Sequence, residues 1–192
     1  MGKKYEFRPD KPRSSWLSKL YLTQLQRKNI LKWGLYGLSL LVLSLLQDVI
    51  LCRFRIFGAT TELVPCAIFL ICVLVGTEPG SLFALVTSAL YLFSGTAPGP
   101  YSMVFITFLA IFSSIFRQAF LQKGFAAAML CTAVSMVLYV FCNFIFGVFL
   151  GLTPLDRFFG VCITAFSTLL AAPILYPIFL SIGSIGGEAW KE

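Results

Sequence analysis

The sequence predicts an all-α membrane protein, a polytopic bundle of six transmembrane helices. Three observations predict it. Of the 192 residues, 58% are hydrophobic, and the mean hydropathy is +0.88. Only 12% are charged, against about 25% in soluble domains, so a soluble fold would lack the polar surface to meet water. The apolar residues also come in long unbroken runs separated by Gly, Pro and charged groups. Membrane strands would instead alternate over segments of about ten residues. Continuous runs suit helices, which satisfy their own backbone in lipid.

Residues 1–29 read as a basic cytoplasmic tail. Nine of the 15 Lys and Arg residues fall in the first 32 positions. The rest of the chain carries six, so the charge suits anionic lipid and not nucleic acid. Trp16, Leu17, Leu20, Tyr21 and Leu25 recur at roughly helical spacing. An interfacial helix and a solvated linker both fit that pattern. The first long apolar run starts too late for a secretory signal. Position 6 is Glu, so the N-myristoylation pattern is absent.

The transmembrane domain covers residues 30–185. Its first span, 30–51, would be roughly 33 Å long, enough to cross. A second run covers 61–75 and ends at "GTEP" over 76–79. A third covers 80–93, and a Gly/Pro loop, "SGTAPGPYS", follows. A fourth run, 103–115, is separated by "FRQAFLQKG" from a fifth, 125–150. "GLTPLDR" precedes the sixth, from 158 to about 182, which contains Pro173 and Pro177. Residues 186–192 form a short cytoplasmic C-terminus. The second and third runs are short, so either they cross a thinned bilayer or they form a re-entrant hairpin. Both counts are even and put the termini on one side. With the N-terminus inside, twelve basic residues are cytoplasmic and three external, which sets the orientation as N-in and C-in.

Little in the chain points to catalysis. There is no His, and no phosphate-binding loop, GxSxG or HExxH motif. Aspartyl-type intramembrane proteolysis needs two aspartates, and the spans offer one Asp, Asp48. The six cysteines form no CxxC pair and read as small packing residues. No enzyme, metal site or cofactor is therefore predicted.

Asp48 interrupts "LSLLQDVILCRFRIFG" and is the residue that most invites a functional reading. A mid-bilayer Asp costs about 3 kcal/mol, and much less near the interface. Asp48 stands three residues before the end of the first span, with Arg53 and Arg55 close behind it. A polar helix end with a screened ion pair is one reading. The other is an outer-face partner contact made by Asp48, Arg53, Arg55, Phe57 and Gly58. Elsewhere, Gly80, Ala84 and Ser88 recur at four-residue spacing and would allow close helix packing. Pro173 and Pro177 are read as packing features of a kinked helix.

The order of these parts resembles the MreD family, the membrane subunit of the bacterial rod-shape, or elongation, machinery. The matching positions are Gln47, "CRFRIFG" over 52–58, Glu62 and Pro65. They continue with "TEPG" over 77–80, Ser94-Gly95, Gly99 and "AAPILYP" over 171–177. Tyr91 stands where many members carry an acid, and Tyr101 where many carry a His. The resemblance implies a non-enzymatic scaffold in the bacterial plasma membrane. It would contact membrane lipid and an MreC-like protein, beside a RodA-like SEDS glycan polymerase and a class B penicillin-binding protein. The family is also similar in fold to the substrate-binding S components of energy-coupling-factor vitamin transporters. That likeness supplies the alternative: a small-molecule-binding subunit with an outward pocket.

Overall fold

The computed structural model describes residues 24–51, 53, 60–121 and 124–185. Arg55, Phe57, Gly58, Cys52, most of the basic tail and the C-terminus lie outside these residues. Six helices follow one another: α1 (Gln24–Leu46), α2 (Leu63–Val75), α3 (Thr77–Phe93), α4 (Tyr101–Phe120), α5 (Phe125–Phe149) and α6 (Phe158–Ser184). A π-helical turn, Gln47–Leu51, extends α1, and a 3-10 turn, Leu155–Arg157, leads into α6. Among the described residues, α1 with its π turn, α4, α5 and the η-turn–α6 unit are long and apolar enough to cross a membrane. Leu41, Leu45, Phe108, Phe112, Leu138, Ile145, Phe166 and Ile174 all face outward, as lipid contact requires.

The shortest helix holds the centre. All eleven residues from Leu63 to Val73 are buried, and α2 packs against each of the other five helices. Its apolar run has no polar side because no side meets solvent. At 13 residues α2 is roughly 20 Å long, against roughly 37 Å for the 25 residues of α5. This accounts for the short second run without bilayer thinning, because α2 ends inside protein and not in lipid. Side chains complete its ends. Near its start, Glu62 N–H donates to Thr168 Oγ1 (3.1 Å) and Val64 N–H to Gln47 Oε1 (3.1 Å). Pro65, in the first turn, has no N–H to satisfy. At the other end Ser114 Oγ donates to Cys72 O (3.2 Å).

Side-chain contacts order the helix directions. Gln47 at the end of α1 meets the start of α2, Thr77 at the start of α3 meets Gln118 at the end of α4, and Phe125 at the start of α5 meets Tyr176 late in α6. Successive helices therefore run antiparallel. The end of the bundle bearing the α1–α2, α3–α4 and α5–α6 connections is here termed distal.

Three sequence expectations change. The break between the second and third runs is Gly76 alone, at φ 108°, and "TEPG" forms the first turn of α3. Pro79 fits there because first-turn N–H groups have no intrahelical acceptor. Second, α4 continues to Phe120, and Arg117 lies buried in its last turn, where a cation complements the helix dipole. Third, Pro173 and Pro177 are exposed on α6, while Ala172, Leu175, Tyr176 and Phe179 on the same helix are buried. The two prolines face away from the bundle and are not packing contacts. Gly80, Ala84 and Ser88 are all buried, and a Cβ at Gly80 would lie 3.2 Å from Cys72 Cα. Ser88 Oγ lies 3.1 Å from Thr107 Oγ1 of α4.

Candidate ligand cavity at the distal end

Because α2 stops short of its neighbours, a cavity of about 420 Å³ opens above its first turn. Glu62 lies at its α2 end. Tyr101 of α4 and Pro98 of the preceding loop form one side. Val140, Asn143 and Phe144 of α5 form another, and Val161 and Thr164 of α6 a third. Leu152 and Thr153 complete it from the α5–α6 connection.

Local backbone chemistry sets these positions. The α5–α6 connection is a Schellman turn: Leu152 N–H donates to Gly147 O (2.8 Å), and Gly151 N–H to Val148 O (3.0 Å). Gly151 takes φ +70°, which glycine adopts without strain. A Cβ at Gly147 would come within 2.6 Å of Thr153 Oγ1, so any larger residue there must displace the Thr153 side chain at the cavity. Tyr101 is held by aromatic packing, with centroids 6.1 Å from Phe105 and 6.0 Å from Phe146. Glu62 is anchored through its own N–H to Thr168.

The polar groups here are incompletely satisfied. Glu62 Oε2 is buried and accepts no hydrogen bond. Asn143 Nδ2 donates to Tyr139 O (2.9 Å), and Asn143 Oδ1 is buried. The Tyr139 hydroxyl is buried too, interacting with the Asn143 side chain and within electrostatic range of Glu62. Burying a carboxylate or amide oxygen without a partner is costly, and native structures contain few such groups. None of the described residues of the cavity wall carries a positive charge. Among the described residues no three His, Cys, Asp or Glu side chains converge.

A second concavity, about 450 Å³, lies on the flank between α1 and α3. Gly37, Leu40, Leu41, Ser44 and Leu45 of α1 face Thr87, Leu90 and Tyr91 of α3 across Val64. Its character is opposite: the walls are mainly apolar, and Thr87 Oγ1 is satisfied by Phe83 O (2.6 Å).

Asp48 sits in the π turn, half-buried, with Oδ1 buried and unbonded. Arg53 is exposed, and among the described residues no ion pair joins it to Asp48. The π turn places Gln47 inward against α2, and π turns of this kind recur at functional sites. Asp48 does not line the distal cavity; Glu62 does. Asn143 is a further site residue that the sequence reading passed over. Its signal was available, since it is the sole side-chain amide in the fifth apolar run. Both departures from the resemblance fall here: Tyr101 lines the cavity, and Tyr91 lies within electrostatic range of Glu62 and Asp48. No family model, no curated protein and no solved structure matches this chain.

Proposed function

We propose that the protein is a non-enzymatic membrane scaffold of the bacterial cell-shape and peptidoglycan elongation machinery. It acts in the plasma membrane, with both termini cytoplasmic and the distal end outside. It works by contact with an MreC-like partner, beside a RodA-like polymerase and a class B penicillin-binding protein. The supporting observation is the flank cleft between α1 and α3. It is mainly apolar, and Thr87 Oγ1 within it is bonded to Phe83 O. Gly37 has no atom near the place its Cβ would occupy, and Ser44 lies two turns further along the same face of α1. Small residues at such a seam let a second helix approach closely in lipid. The occupant that fits is one transmembrane helix of the MreC-like protein.

The test is co-purification. The tagged protein should recover the MreC-like protein from membranes. Gly37→Leu with Ser44→Leu should abolish that recovery while insertion and melting temperature hold. Unchanged recovery from the filled cleft would remove the cleft's role. Recovery of an energy-coupling transmembrane partner with two ATPases would replace the scaffold reading with the second one. That second reading, a substrate-binding subunit, is favoured by one observation only, the distal cavity.

A further inference from the structure

We propose that the distal cavity binds a small organic cation, whose ammonium or guanidinium N–H groups seat on Glu62 and Asn143. The inference stands apart from the scaffold reading, because it uses a different surface and different residues.

Complementarity carries it. A buried oxygen at the cavity, Glu62 Oε2, is an acceptor that receives no hydrogen bond, and the Asn143 side chain beside it interacts with the Tyr139 hydroxyl. Among the described residues the wall carries no Lys, Arg or His to neutralise Glu62. A ligand that completes the site with Glu62 ionised brings donors and positive charge together. An anion would face an uncompensated carboxylate. A neutral polyol would supply donors but leave the buried charge in place. Val140, Phe144, Leu152 and Val161 supply apolar wall that suits a hydrocarbon or ring portion, while Tyr101, Thr153 and Thr164 carry hydroxyls. A volume of about 420 Å³ is far larger than a bare ion needs and falls in the usual range for small-molecule pockets, roughly 300–1,000 Å³. The backbone that carries Glu62 is fixed, since its N–H is tied to Thr168 Oγ1 and that of Val64 to Gln47 Oε1.

The experiment uses the full chain, purified in detergent in sodium phosphate and free of amine buffers. Isothermal titration is run with a panel of primary amines, from methylammonium to phenethylammonium, and with agmatine. Neutral 2-phenylethanol and sodium chloride serve as controls. Saturable binding is expected from at least one organic cation and from neither control. In Glu62→Gln its affinity should fall about ten- to a hundredfold, the worth of a charged hydrogen bond. Should Glu62→Gln fail to purify, Leu152→Trp reads the same question from the exposed lip of the cavity. It should block binding at an unchanged melting temperature. Three results would overturn the proposal: no cation of the panel binds, 2-phenylethanol or sodium binds equally, or the variant that purifies keeps wild-type affinity.

Discussion

Gln47 and Val64 are joined by a hydrogen bond of 3.1 Å, from the backbone N–H in the first turn of α2 to the side-chain oxygen of α1. The bond links α1, which is mostly exposed, to α2, which is almost wholly enclosed. It also satisfies an N–H that α2 cannot satisfy itself. Gln47→Leu keeps the bulk and removes the acceptor, leaving that N–H buried and unpaired. The expected cost is about 1–3 kcal/mol. Thermal melting of the detergent-purified protein measures it, and an unchanged melt would show that the N–H finds another partner.

At the α2–α3 hairpin, Gly80 meets the Cys72 backbone, with an added Cβ at 3.2 Å from Cα and 3.3 Å from the carbonyl oxygen. Both near atoms are main chain and move little. Gly80→Val is therefore expected to wedge α3 from α2 and to cost about 1–3 kcal/mol as overpacking. Ser81→Val, one residue on and only half-buried, is the control and should change stability far less. Equal melts for the two variants would refute the close packing.

Asp48 was the residue the sequence marked most loudly, and it is half-buried in the π turn. Its Oδ1 is buried without a donor, and no described cation pairs with it. Asp48→Asn removes the charge at constant shape. Insertion is expected to be intact and the melting temperature equal or higher. A loss of insertion, or destabilisation beyond about 1 kcal/mol, would show that the ionised form is needed.

The helix pattern was legible because Gly, Pro and charge cut the apolar runs at nearly the places where the helices end. The run at 125–150 became Phe125–Phe149, and the run at 61–75 became Leu63–Val75. The rank of α2 was not legible. A helix apolar on every side reads the same whether lipid or protein surrounds it, and only packing shows that Leu63–Val73 is enclosed. The helical reach of α4 past Ile115 was hidden because Arg117 looked like a loop charge, whereas burial in the last turn accommodates it. Glu62 and Asn143 are 81 positions apart in the numbering and each is unremarkable alone. They become one site only because α2 stops short and α5 passes beside its end. Asp48 drew attention by interrupting an apolar run, which is a local signal; Glu62 matters through convergence, which is not.

The α5–α6 connection separates backbone strain from cavity shape. Gly151 holds φ +70° with open space around its Cβ position, so Gly151→Ala meets only the left-handed backbone penalty. That should be about 1 kcal/mol, read as a modest fall in melting temperature. Gly147 has ordinary helical geometry but no room, because Thr153 Oγ1 stands 2.6 Å from the Cβ site. Gly147→Ala must therefore displace Thr153, which lines the cavity and whose N–H bonds to Gly147 O (3.1 Å). The two alanines should differ in kind. Gly151→Ala lowers stability and leaves cation binding as in the wild type, whereas Gly147→Ala weakens binding as well. Pairing Gly147→Ala with Thr153→Ala removes the clashing hydroxyl and should restore most of the lost stability. If the double variant melts no higher than Gly147→Ala alone, the contact between these two residues does not set the shape of the connection.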